Sequence, residues 1–259
     1  MKSEKHTFWE HLDDLRGVLL RVAAVVAGFG CVAFGFKDTL FGVVLAPQNS
    51  DFVSYRLLQK AGSMLPFGEF VDDFSIKLIN TGLAGQFLIH FQVAMYAGVL
   101  VASPYILYVL FRFLSPALYA KERRYALYVV GGGYAMFLLG ILLSYFLIFP
   151  LTFRFLGTYQ VSAGVENLIS LESYIDTLMT LSLAMGAVFE IPILCWCFAK
   201  LGFLKADFMQ RYRRHAIIVL LIIAAIITPT SDIFTLLIVS LPMYLLYEAS
   251  IWIVKKVEN

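Results

Sequence analysis

Apolar residues run along this chain in long uninterrupted blocks, and polar residues gather between the blocks. Crossing about 30 Å of hydrocarbon takes about 20 apolar residues of helix. Blocks of that length predict spans from about Gly17 to Phe36, from Phe87 to Phe111 and from Tyr125 to Phe149. A fourth, about Thr177 to Phe203, is interrupted only by Glu190 and Lys200. The fifth runs from His215 to Thr228 before Pro229 stops it, and the last begins near Ile233 with its uninterrupted apolar run ending at Glu248. Fourteen helical residues cover about 21 Å. The fifth and sixth spans therefore read as short, thinning the bilayer locally or lying against protein. The expected fold is an all-α membrane protein of six transmembrane helices, one integral membrane domain over residues 1–259.

The segments between the blocks have patterns of their own. Residues 1–16 lead into the first span as a cytoplasmic interfacial helix. Phe8, Trp9, Leu12, Leu15 and Leu19 form one stripe, with Glu10, His11, Asp13, Asp14 and Arg16 around the other side. Residues 37–86 make a long external loop, too polar to span and too apolar to be a free linker, part of which is expected to cap the outer face. Within it Val71, Phe74 and Leu78 have helical spacing, predicting a surface helix lying on the bundle. Residues 112–124 form the first cytoplasmic loop.

Composition and charge orient this arrangement. Apolar and aromatic residues make up 60% of the chain and charged residues only 15%, against about 25% in soluble domains. With the N-terminus inside, the cytoplasmic segments carry Lys2, Lys5, Arg16, Arg21, Arg112, Lys121, Arg123, Arg124, Lys200, Lys205, Arg211, Arg213, Arg214, Lys255 and Lys256, fifteen of the twenty basic residues. The positive-inside rule then places both termini in the cytoplasm. Met1 to Arg16 is too polar for a cleavable signal peptide. Cys31, Cys195 and Cys197 all fall within spans and read as small buried apolar groups.

The chemistry that is missing excludes several classes. No phosphate-binding loop, H-E-x-x-H, G-x-S-x-G or paired His/Cys metal spacing occurs. Gly131-Gly132-Gly133 lies inside a span with no strand before it, so close helix packing explains it better than nucleotide binding. Nothing points to an enzyme, a cofactor, a metal or nucleic acid. Any energy used must come from an ion gradient or a partner.

Two places carry candidate chemistry. Glu190 sits within the fourth span, where a charged carboxylate is costly unless hydrated, paired or protonated. Pro192 beside it removes a backbone hydrogen bond and predicts a bend next to the carboxylate. The second place is the end of the second span, where Phe113-Leu114-Ser115-Pro116 precedes Glu122 and the basic pair Arg123-Arg124. One carboxylate beside a basic cluster offers a binding surface at the membrane edge. Two classes survive: a proton-coupled secondary transporter using Glu190, and a receptor or translocase binding a peptide at its cytoplasmic edge. The matching halves typical of many transporters are not evident.

A set of motifs in one order then bears on that choice. His11-Leu12-Asp13-Asp14-Leu15-Arg16, Pro104-Tyr105-Ile106-Leu107-Tyr108, Phe113 to Tyr119, Glu122-Arg123-Arg124, Phe189-Glu190-Ile191-Pro192, Thr228-Pro229 with Asp232, and Pro242 to Glu248 together resemble the TatC family, the multispanning receptors of the twin-arginine protein translocase. The resemblance implies six spans with both ends cytoplasmic, a concave glove-like bundle and two short C-terminal helices, in the bacterial inner membrane. It implies recognition of twin-arginine signal peptides on folded cargo, with Phe113 and Glu122 as primary contacts and Asp14 and Arg16 supporting. Asp14 stands where the family usually has glutamate. Carboxylates suit this task because arginine offers a planar fork that they accept in bidentate fashion, whereas lysine is a point charge. The resemblance further implies that Glu190 and Pro192 face a pocket contacting single-span TatA/TatB-type partners, that Pro229 and Asp232 mark the partner-docking edge, and that other copies of the chain and membrane lipid are neighbours. Asp232 is equally a candidate N-cap of the last helix.

Overall fold

Helix dominates because in an apolar medium backbone N–H and C=O groups must satisfy one another within the segment. The computed structural model describes residues 8–62, 76–114, 126–162, 164, 167–230 and 232–258, without the side chains of 8–14, 61–62, 111, 113–114 and 126–129. The elements are α1 (Phe8–Phe34), α2 (Lys37–Val44), α3 (Val53–Gly62), β1 (Leu78–Ile79), α4 (Gly85–Leu114), α5 (Ala126–Leu143), α6 (Phe149–Thr158), β2 (Ile169–Ser170), α7 (Leu171–Val188), α8 (Ile191–Lys200), α9 (Ala206–Arg211), α10 (Arg213–Ile227) and α11 (Ile233–Glu258). Among the described residues five stretches are long and apolar enough to cross a membrane: Leu15–Phe34, Gly85–Leu110, Val130–Thr158, Leu171–Lys200 and Ile233–Glu258. The 15-residue α10 is about 22 Å long, as short as Pro229 predicts.

The chain divides into two units. The first comprises residues Met1–Leu40 and His90–Tyr134. In it α1 and α4 meet backbone to backbone: a Cβ on Gly98 would lie 2.6 Å from the Val26 carbonyl oxygen and 2.7 Å from the Gly30 nitrogen. Close approach through small residues is how helices associate where lipid removes the hydrophobic incentive. Phe34 stacks on His90 with ring centroids 3.9 Å apart.

The second unit comprises Phe41–Ile89 and Ala135–Asn259. Here residues 43–55 are stitched to the spans. Five π-helical residues, Ser144–Ile148, join α5 to α6, and Pro150 follows in the first turn of α6. Proline donates no N–H, so the carbonyl four residues back, on Phe146, lacks its α-helical donor. The Ser54 hydroxyl of α3 donates to that carbonyl. The neighbouring Tyr55 hydroxyl lies 3.1 Å from the carbonyl oxygens of both Pro47 and Pro150. Tyr145 donates to the Val43 carbonyl at 2.6 Å and Tyr174 to that of Val44 at 3.0 Å. Tyr174 packs edge to face on both Phe149 and Phe153, which stack on each other. At the opposite end of α11, Ala199, Ala206, Met209, Ile251 and Val254 form a buried cluster, and the Glu258 carboxylate accepts the Ala206 N–H at 3.0 Å.

Four expectations are corrected. The sixth helix is not short: α11 runs 26 residues through Pro242 and past Glu248. Glu248 does not end it because that carboxylate is paired with Arg213 at 2.8 Å and accepts the Tyr244 hydroxyl at 3.1 Å. The third span continues beyond Phe149 to Thr158, the carbonyl stranded by Pro150 being satisfied from α3. Leu78 is not helical but pairs in parallel with Ile169, and residues 71–75 of the surface helix expected there lie outside the described residues. Close helix packing at the glycine triplet fails at Gly131, whose Cβ would meet nothing within 4 Å among the described residues.

Candidate functional site

Glu190 is positioned by the way α7 begins, packs and ends. The Ser170 side chain caps α7 by accepting the Ser173 N–H at 3.1 Å. Further along, α7 lies directly on α5: a Cβ on Gly140 would fall 2.5 Å from the Met185 carbonyl oxygen, and one on Gly186 would fall 2.8 Å from the Phe137 ring. One turn beyond that contact the helix is interrupted. Pro192 has no N–H to give to the Val188 carbonyl four residues back, and α7 ends at Val188. Phe189 and Glu190 form a turn in right-handed backbone geometry, and the Glu190 carbonyl accepts from the Ile193 and Leu194 N–H groups to start α8. The interruption expected from Pro192 is therefore a change of hydrogen bonding beside the carboxylate.

The Glu190 side chain does not serve as a cap. It is 8% exposed, and among the described residues neither carboxylate oxygen has a hydrogen-bond partner. Placing a charged side chain at the centre of a membrane helix costs about 2.5–3.5 kcal/mol on insertion scales. Ser182, the buried hydroxyl eight residues earlier, lies 3.4 Å from Ser144 Oγ. Glu190 thus presents a recessed acceptor at a helix break, able to take a hydrogen bond from an inserted donor or to hold a proton.

The turn between α10 and α11 holds Pro229 and Asp232 together. Pro229 is exposed. Asp232 Oδ1 accepts the Thr235 N–H at 2.7 Å, capping α11. Burial pushes the Asp232 carboxyl up, but hydrogen bonding led by the Thr235 N–H outweighs it and holds the group below the usual carboxylate range. Near this turn a cavity of about 420 Å³ is lined by residues including Thr152, Asn167, Ser173, Thr177 and Thr230. Thr152 is 1% exposed and its hydroxyl has no partner among the described residues. Sequence reasoning missed this cavity because Thr152 on α6, Ser173 and Thr177 on α7 and Thr230 after α10 are brought together only by the fold. The Arg213–Glu248–Tyr244 cluster was also missed, although Tyr244 and Glu248 stand one helical turn apart.

The remaining sequence candidates are placed only in part. Arg16 is exposed on α1. Asp14 and Phe113 lie on α1 and α4 with side chains outside the described residues, and Glu122 lies outside them entirely.

Long apolar helices, one broken around a recessed carboxylate, define a polytopic helical membrane protein with a polar site inside a span. The family model for the Sec-independent protein translocase protein (TatC) matches residues 10–242. The chain is 32% identical over 259 residues to the Sec-independent protein translocase protein TatC of Blattabacterium sp. subsp. Periplaneta americana, covering 98% of this chain and 97% of that one. It is 34% identical over 251 residues to the TatC protein of Desulforapulum autotrophicum, covering 96% and 84%. A crystal structure of the twin arginine translocase receptor TatC superposes with a TM-score of 0.76 at 28% identity, covering 96% of this chain and all of that one. The chain belongs to the TatC family of protein translocases, and is an integral protein of the bacterial membrane.

Proposed function

We propose that the chain is the receptor and core subunit of a twin-arginine translocase. It binds Arg-Arg signal peptides of folded proteins at its cytoplasmic face and organises single-span TatA/TatB-type partners, and other copies of itself, for export across the inner membrane. In this reading it is one integral domain of six spans in a concave bundle with both termini cytoplasmic, and the proton-motive force acts on the assembly. It is not an enzyme. Glu122 and Phe113 make the primary contacts with the signal peptide, with Asp14 and Arg16 supporting. Pro229 and Asp232 mark the edge where a partner helix docks.

The observation that carries the organising role is Glu190, a buried carboxylate with no partner among the described residues, at a helix break. A polar group on an inserted partner helix would offset part of its desolvation. A proton carrier would use the same carboxylate, so the experiment separates the two readings. Glu190→Ala should leave signal-peptide binding intact while disrupting partner assembly and transport of a folded cargo. Normal transport by that variant would rule out the role. Proton uptake into vesicles holding the purified chain alone, abolished by Glu190→Ala, would favour the transporter instead.

A further inference from the structure

Ser170, Ser173 and Thr177 stand three and four residues apart, so their hydroxyls share one face at the start of α7. All three line the cavity of about 420 Å³, together with Thr152 of α6 and the rings of Phe149 and Phe153. The Ser170 hydroxyl oxygen accepts the Ser173 N–H at 3.1 Å and keeps its own proton to donate. Thr177 donates to the Ser173 carbonyl at 2.7 Å and keeps its lone pairs to accept. Ser173 and Leu168 are exposed and mark the open side of the cavity. Among the described residues no charged side chain lines it.

The strand beside this stripe is incomplete. β1 and β2 form a two-residue parallel pair with no third strand among the described residues, and so short a parallel pair is marginal by itself. Ile169 and Ser170 of β2 line the cavity while neither residue of β1 does, so the unpaired edge of β2 lies on the cavity side. From Ser170 to Thr177 the stripe covers seven helical rises, about 10 Å. Three extended residues at about 3.3 Å each match that length. A helix has already satisfied its backbone groups, and an acyl chain would leave the hydroxyls without partners. An extended peptide instead offers alternating N–H and C=O groups to the strand edge and to the stripe.

We propose that this cavity seats the small-residue segment that follows the apolar core of a bound signal peptide, adding a short third strand beside β2. The proposal rests on the signal-peptide reading. With both termini cytoplasmic, this end of α6 and α7 is the outer one. A signal peptide has a basic region, an apolar core of about 7–15 residues and then an Ala-x-Ala-like stretch. A core of about 14 helical residues covers about 21 Å, leaving about 10 Å of the roughly 30 Å of hydrocarbon, the length of the stripe. The stretch that follows is three residues long and uncharged, with its two small side chains on one strand face. An uncharged hydroxyl lining suits it and does not suit the basic region.

The test uses the full chain in lipid nanodiscs and a labelled signal peptide carrying a diazirine residue at the middle of Ala-x-Ala, with crosslinks mapped by peptide mass spectrometry. Arg-Arg and Lys-Lys versions are compared for the amount bound. Crosslinks should concentrate in 149–156 and 168–177, several-fold above the same peptide with Leu-x-Leu, a change that leaves the protein's folding untouched. Ser173→Trp, which fills the open side, should lower cavity crosslinks several-fold, and Ser173→Thr, which keeps the hydroxyl, should retain them. An Arg-Arg peptide that binds preferentially yet crosslinks elsewhere would overturn the seat alone. So would one that labels the cavity equally as Leu-x-Leu or after Ser173→Trp. Equal binding of the Arg-Arg and Lys-Lys peptides would overturn the signal-peptide reading and the seat with it.

Discussion

Replacing Gly140 by alanine tests the packing that positions the Glu190 break. The new Cβ would stand 2.5 Å from the Met185 carbonyl oxygen, 2.9 Å from the Met185 carbonyl carbon and 3.0 Å from Gly186 Cα, where ordinary contact begins at 3.4 Å. All three are backbone atoms of α7, so no side chain can swing away, and the helices must part by about 0.9 Å, the difference between 3.4 and 2.5 Å. Overpacking of this kind costs about 1–3 kcal/mol, against a gain of at most about 1 kcal/mol from alanine's better helix propensity. Strain therefore outweighs propensity. Gly131→Ala in the same helix is the control, because its Cβ meets nothing within 4 Å among the described residues and only the propensity gain remains. Thermal unfolding of the purified protein in one detergent should give a lower Tm for Gly140→Ala and an equal or higher Tm for Gly131→Ala. Equal values for the two variants, or a more stable Gly140→Ala, would refute the backbone contact between α5 and α7.

Two further substitutions read the α10–α11 turn and the seat of α3. Asp232→Ala removes the α11 cap and should cost about 0.5–2 kcal/mol. Because the folded carboxyl is held below its usual range, the native protein's advantage over this variant should be full above the usual carboxylate pKa and be lost as pH falls through the folded value. Tyr55→Phe removes the hydroxyl that faces the Pro47 and Pro150 carbonyls and should cost about 1–3 kcal/mol, measured by the same unfolding assay. Burial pushes the Tyr55 phenol up from 10.0, Arg154 opposing. The folded state therefore retains its proton longer than the unfolded state, and native stability should fall more steeply than that of Tyr55→Phe as pH rises past 10.0.

The spans were legible where a single residue punctuates the pattern. Pro229 gave the end of the fifth helix, and Glu190-Ile191-Pro192 gave the interruption of the fourth, because a missing N–H acts locally on the backbone. Errors arose where a distant residue supplies what the local sequence lacks. Pro150 reads as the end of a span unless the Ser54 hydroxyl, 92 positions earlier, is known to satisfy Phe146. Glu248 reads as the limit of an apolar run unless Arg213 is known to face it. The spacing at Val71, Phe74 and Leu78 suggested a helix, but Leu78 pairs with Ile169 across the unit. Of the candidate site, the burial of Glu190 followed from its neighbours in sequence, whereas its lack of a partner is visible only in three dimensions.

The most direct test of receptor function is binding of a labelled signal peptide to the purified full chain in lipid nanodiscs, with Arg-Arg or Lys-Lys at the motif, each at two salt concentrations. Binding should favour Arg-Arg, persist in part at the higher salt, and lose its preference in a folded Glu122→Ala variant. Equal binding of the two peptides to the unmodified protein, or an Arg-Arg preference unchanged in Glu122→Ala, would contradict a carboxylate-based twin-arginine receptor.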